Sequence, residues 1–181
     1  MAVWLQRVKE ELGSSLVLNW RYFSLEQVNS NKGPDWEIWE QPLDYPGGGL
    51  PAFRAAEAAR RQGEETFISF HIALFRARHE KHRNIADIDN LVKTAEDAGL
   101  DRDRFIKDMN DPRILDALAR DHTYAVETLR VFGTPTLVFQ ENGAVFLRLT
   151  PIPSPEESLP IFNEIRAIAK GRPNIKEIKR P

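Results

Sequence analysis

One stretch, residues 131–139, constrains the fold of this chain more than any other. It reads VFGTPTLVF, and its tripeptide Gly133-Thr134-Pro135 is a turn sequence. The tripeptide separates a helical pattern that ends near Arg130 from an apolar run, beginning at Thr136, that is typical of a β-strand. A peptide bond adopts the cis form at low cost only before proline, so the bond before Pro135 is a candidate. The tripeptide alone favours the alternative, a trans proline that starts an edge strand.

Two other segments carry β-type patterns. Residues 16–23 read LVLNWRYF, and their alternation of apolar and mixed side chains predicts a strand. Asn142-Gly143 lies between the β-type runs 136–140 and 144–149, and this dipeptide predicts a hairpin. Amphipathic patterns predict a first helix over residues 2–12 and a last helix over residues 156–170.

The middle of the chain is predicted to be helical. Prolines and glycines make residues 24–51 a long irregular connection. Five helices are then predicted, the third capped by Asp87 and the fifth starting with Asp111-Pro112. Their predicted spans are residues 52–62, 64–82, 87–98, 101–109 and 111–130. This order of elements predicts an α+β fold with a helical insertion.

Composition excludes several classes of protein. The net charge of −2 gives no reason to expect nucleic acid or a membrane surface as partner. No apolar run approaches the ~20 residues that span a bilayer, and the charged residues near the start argue against a signal peptide. We therefore expect a cytoplasmic protein. The sequence contains no cysteine, which excludes disulfides and cysteine-ligated zinc, and no cofactor is expected.

Two histidine groups are candidate sites. His79 and His82 are three residues apart and can share a helix face, but basic neighbours argue against a bound cation. We expect a solvated helix end there, and no metal site. His122 beside Asp121 could imitate a catalytic pair, but no serine motif accompanies it, so a polar helical turn is the favoured interpretation.

Five segments, taken in order, resemble the DsbA family of thioredoxin-fold thiol–disulfide oxidoreductases. The resemblance lies in residues 20–25 (WRYFSL), in the pair of segments 74–78 (LFRAR) and 84–87 (NIAD), in residues 95–101 (AEDAGLD), and in residues 131–136 (VFGTPT). The cytoplasmic, FrnE-like branch is the most similar. The resemblance implies a thioredoxin-like core with a mixed sheet, formed by residues 1–51 and 131–181 and interrupted by an all-helical insertion at residues 52–130.

The resemblance also implies where substrate binds. The VFGTPT segment is similar to the cis-proline loop of the family, so the Thr134–Pro135 bond is expected to be cis. Gly133, Thr134 and Pro135 are the implied substrate-binding residues, because the backbone before the proline pairs with an extended substrate as an added strand. The implied partner is a protein or peptide, with a small thiol as another possibility. A homodimer is also compatible with the resemblance.

The chain departs from the family at the catalytic motif. The family uses a Cys-x-x-Cys at the start of its first core helix, whereas residues 1–8 (MAVWLQRV) look like the middle of that helix. The motif and the strand before it are therefore expected upstream of Met1, and no catalytic residue is assigned. Without that strand, residues 16–23 and 136–140 are expected either to close on each other with distortion or to accept a strand from elsewhere.

Three functions follow from the resemblance, and the sequence leaves open whether the chain is an enzyme. The first is a DsbA-like disulfide oxidoreductase, represented by a chain without the redox cysteines. The second is a redox-inactive binding module that uses the cis-proline loop. The third is a protein similar to the glutathione-dependent 2-hydroxychromene-2-carboxylate isomerases, which use a serine near the start of that helix. Ser14 and Ser15 lie at the wrong end of the helix for this role.

Overall fold

Helices make up most of the structure, a computed structural model that describes residues 1–42, 44–46, 49–139 and 143–178. The helices are α1 (Ala2–Leu12), α2 (Leu25–Val28), α3 (Leu50–Arg61), α4 (Glu64–His79), α5 (Ile88–Asp97), α6 (Arg102–Met109), α7 (Asp116–Glu127) and α8 (Pro155–Gly171). The strands are β1 (Thr136–Phe139) and β2 (Gly143–Phe146), and short 3-10 helices cover Gly13–Ser15, Ile38–Glu40 and Pro112–Leu115.

The chain forms two compact units. Met1–Trp20 and Tyr124–Pro181 form one of them, here named the terminal unit. Arg21–Thr123 form the other, the central unit. The terminal unit contains α1, α8 and the two strands, whereas helices α2 to α6 lie in the central unit.

The core of the terminal unit is built around Trp4. Its side chain is fully buried, its Nε1–H donates to the carbonyl of Ser158 at 3.1 Å, and its ring centroid lies 6.1 Å from that of Phe162. These contacts join α1 to α8, which begins with a capping box formed by Ser154 and Glu157. Partly buried apolar side chains pack around this cluster, among them Leu16, Leu18, Trp20, Leu137, Phe139, Leu147 and Leu149.

The predicted hairpin is present as an antiparallel pair of strands. Thr136 lies opposite Phe146 and Phe139 lies opposite Gly143. The predicted turn itself, at Asn142, lies outside the described residues. Leu137 and Phe139 pack against the core, so one face of β1 supports the hairpin and the other is free to carry exposed side chains.

The predicted strand over residues 16–23 is wrong, and so is the predicted mixed sheet. Among the described residues the sheet has two strands, which are antiparallel to each other. Residues 16–20 alternate between partly buried and exposed side chains, as a strand does, but they belong to no strand. Alternating burial shows only which side chains reach a core. A β-strand also needs backbone hydrogen bonds to a neighbouring strand. Among the described residues of the terminal unit, residues 16–20 form no strand pair with residues 136–139. Acceptance of a strand from elsewhere stays a prediction.

The second half of the predicted strand uses side chains in place of a neighbouring strand. The backbone N–H of Tyr22 donates to Asp121 Oδ2, and that of Ser24 donates to His122 Nδ1, each at 3.1 Å. All four residues belong to the central unit. These bonds satisfy two buried amides that a sheet would otherwise have to pair, so the chain stays extended without forming a ladder.

The central unit is held by small and aromatic side chains. Four buried alanines on α3 allow neighbouring helices to approach closely, and the rings of Phe70 on α4 and Phe105 on α6 lie 5.6 Å apart. The predicted caps are confirmed: Asp87 accepts from the first turn of α5, and Asp111 precedes Pro112 at the start of a 3-10 helix. The predicted helix 111–130 is divided, because this 3-10 turn precedes α7.

Replacement of Trp4 tests the core of the terminal unit. Trp4→Ala is expected to cost about 3–5 kcal/mol, because it leaves a cavity between α1 and α8. Trp4→Phe keeps most of the apolar volume but removes the bond to Ser158, and is expected to cost about 1–2 kcal/mol. Urea unfolding followed by circular dichroism measures both free energies. Val17→Ala, at an exposed position, is the control, and equal midpoints for all three variants would contradict the assignment.

Protonation of His71 in the central unit is expected to reduce stability in acid. Burial, and next the charge of Arg60, lower the pKa of His71 from 6.5 to about 4. The unfolded chain therefore binds this proton first, so stability is complete above pH 6.5 and falls as the pH drops towards 4. The slope from this group is at most ~1.4 kcal/mol per pH unit.

The measurement is the free energy of unfolding from pH 7 to pH 4.5, compared between variants. His71→Gln is expected to reduce the slope of the free energy of unfolding against pH, because up to one proton fewer is taken up on unfolding. His79→Gln, at an exposed position of the same helix, is the control. Parallel pH profiles for the parent protein and His71→Gln would show that His71 does not cause the effect.

Candidate functional site

The Gly133-Thr134-Pro135 loop is anchored at both ends within the terminal unit. On one side, Arg130 adopts a left-handed conformation with φ of +57°, and the N–H of Val131 donates to the carbonyl of Ala125 at 2.9 Å. On the other side, Leu147 N–H donates to the carbonyl of Pro135 at 3.1 Å. Both bonds use backbone groups, so the position of the loop depends on α7 and the hairpin.

The bond between Thr134 and Pro135 is cis, the geometry expected from the resemblance. The Thr136 hydroxyl donates to the carbonyl of Gly133 at 2.7 Å and closes the loop. A second cis bond joins Thr150 to Pro151, and the sequence analysis did not predict it. The only sequence signal for this second bond is the Thr-Pro dipeptide itself.

Thr134 presents its backbone without an internal partner. Its side chain is exposed, and no hydrogen bond within the described part of the chain uses its N–H or its carbonyl oxygen. A backbone donor and acceptor without internal partners on one exposed residue are the groups that an incoming strand can pair with. The residue with this property is one of the three that the sequence predicted to bind substrate.

Two phenylalanines beside the loop were missed by the sequence analysis. Phe132 is 71% exposed and Phe146 is 43% exposed, and their ring centroids lie 5.3 Å apart. A Cβ atom at Gly133 would lie 3.4 Å from the Phe146 ring, so the small residue permits this close packing. Phe132 could have been found by its place before Gly133. Phe146 could be found only through the strand register, which sets it opposite Thr136. We name Phe132 and Phe146 the aromatic pair.

This chain has no thiol that could act as a nucleophile. The sequence has no cysteine, and its sulfur atoms are the thioethers of Met1 and Met109. Ser14 and Ser15 lie in the 3-10 turn that follows α1. Among the residues that the structure describes, no three side chains of the metal-binding types form a group able to hold a metal ion. Within the same residues, no helix is both long and apolar enough to cross a bilayer.

His122 serves the fold of the central unit. Its Nδ1 accepts from Ser24 N–H, and its ring lies 4.8 Å from that of Phe23 and 5.4 Å from that of Trp39, measured between centroids. Burial lowers the pKa of His122, which favours the neutral ring that this hydrogen bond requires. Asp121 bonds Tyr22 N–H and the Arg21 guanidinium. The two side chains therefore support separate backbone and ion-pair contacts.

Comparison with known proteins identifies the family. The model of a family described as DSBA-like thioredoxin domain matches residues 44–151, more than half of the chain. The uncharacterized protein Rv2286c of Mycobacterium tuberculosis is 25% identical over 180 residues, which cover 99% of this chain and 75% of that protein. The ClpXP adapter protein SpxH of Bacillus subtilis is 32% identical over 120 residues, 63% of this chain and 38% of that protein.

The secondary structure is consistent with the matched family. The described residues combine mainly helices with a small two-stranded sheet, and the family match covers the loop, both strands and the helices from α3 to α7. The sequence contains no cysteine and therefore lacks the Cys-x-x-Cys motif that the resemblance led us to expect of the family. The chain belongs to the DSBA-like thioredoxin domain family.

Proposed function

We propose that this chain binds extended polypeptide segments on the Gly133-Thr134-Pro135 loop. The observation that supports this is the exposed backbone of Thr134, which has no hydrogen-bond partner among the described residues and lies next to the aromatic pair. Backbone groups provide hydrogen bonds that any sequence can form, and the rings provide apolar surface. The combination suits a protein that accepts many different polypeptides.

Binding at this loop has a simple energetic basis. A bound segment lies beside Thr134 as an added strand and forms hydrogen bonds with its N–H and carbonyl oxygen, each contributing about 1 kcal/mol. An apolar side chain of the segment covers Phe132 and Phe146, and every 100 Å² of covered apolar surface contributes about 2.5 kcal/mol. Ordering of the bound segment offsets part of this gain, so we expect affinities in the micromolar range or weaker.

The proposal also concerns thiol–disulfide exchange, the reaction that the resemblance implies. A DsbA-like oxidoreductase exchanges disulfides by the attack of a thiolate on a disulfide sulfur. In these 181 residues no side chain can make that attack. We therefore assign to this chain the holding of the polypeptide, with any thiol supplied from outside it. The isomerase alternative lacks support, because Ser14 and Ser15 follow α1 and do not precede it.

One relative favours a binding function without redox chemistry. SpxH is named as an adapter protein, a word that describes binding, and its similarity extends over 120 residues. The matched part is 38% of SpxH, so its whole activity cannot be transferred. We propose for this chain only a binding function, in which the Gly133-Thr134-Pro135 loop holds a polypeptide.

The domain arrangement is also proposed. Residues 1–51 and 131–181 form a thioredoxin-like core and residues 52–130 form an inserted helical domain of FrnE type, in a cytoplasmic protein. The division into terminal and central units supports two separate bodies, although their limits lie at residues 20 and 123. Limited proteolysis tests the arrangement: a resistant fragment that begins near residue 52 and ends near residue 130 is expected, whereas a fragment bounded near residues 20 and 123 would favour the limits of the two units.

Removal of either ring of the aromatic pair is expected to weaken peptide binding about 5-fold, the equivalent of ~1 kcal/mol. The probe is a fluorescein-labelled, cysteine-free octapeptide of alternating valine and threonine, and fluorescence anisotropy measures its dissociation constant. The variants are Phe132→Ala and Phe146→Ala. Phe75→Ala removes a comparably exposed ring from the central unit and is expected to have no effect.

A second peptide separates backbone pairing from nonspecific apolar contact. The same octapeptide with N-methyl groups on alternate amides keeps its side chains but loses hydrogen-bond donors. We expect it to bind about 5-fold more weakly, because the carbonyl oxygen of Thr134 then loses a hydrogen-bond donor. Equal affinity of both peptides, or no effect of the two phenylalanine variants, would contradict the proposed site.

The chain alone is expected to show no thiol–disulfide exchange. In an insulin-reduction assay with dithiothreitol, insulin should precipitate at the rate of the dithiothreitol blank, because no mixed disulfide can form on this chain. A DsbA-like protein that carries Cys-x-x-Cys is the positive control. A rate above the blank that increases with the concentration of the cysteine-free chain would overturn this mechanism.

A further inference from the structure

A small cavity in the central unit is lined by an arginine that forms no ion pair with any described residue. The cavity has a volume of about 90 Å³ and is lined by Pro51, Arg54, Ile88, Ile106, Met109 and Asn110. All six residues belong to the central unit and all lie in the described part of the chain. The cavity is therefore separate from the loop that carries the proposed peptide site.

Arg54 is the unusual member of this set. It is only 6% exposed, and its one hydrogen bond in the described residues runs from Nη2 to the carbonyl of Gln41 at 3.3 Å. Its Nε–H is buried without an acceptor, and no carboxylate of the described residues lies within 4 Å of the guanidinium. Arginines are almost never this buried without an anionic partner, because desolvation of the charge is costly. The guanidinium thus retains donors for an anion.

A second feature beside Arg54 also favours an anion. Helix α3 begins at Leu50, and its N-cap residue Gly49 provides no side-chain acceptor. The first turn of this helix contains no acidic residue, and Pro51 of that turn lines the cavity. The positive end of the helix dipole is therefore not compensated by a capping side chain or by a first-turn carboxylate of this helix, which favours a negative charge near the cavity.

The remaining walls determine what kind of anion fits. Ile88, Ile106 and Met109 provide apolar surface, and Asn110 uses its amide group to donate to the carbonyl of Ile106 at 2.9 Å. The cavity volume of about 90 Å³ is several times the space that one water molecule needs, so a small ligand can enter. A guanidinium matches the planar carboxylate with two parallel hydrogen bonds.

We propose that this cavity binds a small apolar carboxylate, with the carboxylate on Arg54 and a short hydrocarbon group against Ile88, Ile106 and Met109. The same chemistry is presented by a free short-chain acid and by the carboxyl end of a peptide whose last residue is valine. Both sources place one negative charge and a small branched or linear apolar group in the cavity. Phosphate, which lacks the apolar part and carries more charge, fits these walls poorly.

The test uses the full chain, uniformly labelled with ¹⁵N, and follows backbone amide shifts during titration. The probes are butyrate, its uncharged analogue butyramide, and the peptide Gly-Gly-Gly-Val with a free or an amidated carboxyl end. Saturable shifts at residues around the cavity are expected with butyrate or with the free-carboxyl peptide, and none with butyramide or the amide. Shifts with butyrate assign the free acid, and shifts with the peptide alone assign a peptide terminus. No saturable shift with either carboxylate overturns the proposal.

Arg54→Met separates binding from a purely structural role. Methionine keeps an apolar side chain of similar length, so removal of an unpaired buried charge is expected to leave the melting temperature unchanged or raised, while binding is lost. Binding that persists in Arg54→Met overturns the proposal. A lowered melting temperature without any effect on binding has the same meaning.

Ile88→Glu provides a variant that does not depend on a buried substitution. Ile88 is exposed and lies at the wall of the cavity, so a carboxylate there is expected to repel the ligand or pair with Arg54, and to weaken binding at least 10-fold. Ile152→Glu adds the same charge at an exposed isoleucine of the terminal unit and is the matched control. Equal binding by Ile88→Glu and Ile152→Glu would overturn the proposal even if Arg54→Met failed to fold.

Discussion

The burial of Trp4 between α1 and α8 is the contact on which the terminal unit depends. Its ring contacts Phe162, its indole N–H is satisfied by the Ser158 carbonyl, and the inner side chains of β1 pack against the same cluster. The hairpin therefore gains its support from two helices that are far apart in the sequence. Leu147, the residue that follows β2, donates its N–H to the carbonyl of Pro135. The two helices that support the hairpin therefore also support the loop.

The proposed peptide site uses backbone geometry more than side-chain chemistry. Thr134 contributes its N–H and carbonyl oxygen, which are the same for every residue type, and the aromatic pair adds surface without a titratable group. The proposed site requires no redox centre, because neither the hydrogen bonds nor the apolar contact involves a thiol. The proposal is therefore consistent with a member of the DSBA-like family that has no cysteine.

Charged groups of the central unit follow a common rule, to which Arg54 is an exception. Arg61 pairs with Asp111 at 2.7 Å and with Asp108 at 3.7 Å, and the buried carboxylate of Asp121 pairs with Arg21. In these groups each buried charge has a partner that compensates for lost hydration. Arg54 is more buried than either of the paired arginines and has one long bond to a carbonyl. Because Arg54 lacks the carboxylate partner that Arg61 and Arg21 have among the described residues, we expect the cavity to attract an anion.

The sequence by itself determined the local structure and the position of the loop. Caps such as Asp87, the hairpin pairing and the cis geometry at Pro135 were predictable, because each depends on residues a few positions apart or on a resemblance carried by contiguous motifs. The tertiary structure alone decided that residues 16–20 alternate like a strand without joining one, that Phe146 lies on Gly133, and that Arg54 is buried without an anion. These features depend on which distant segments meet, and periodicity along one segment contains no information about the partner it will find.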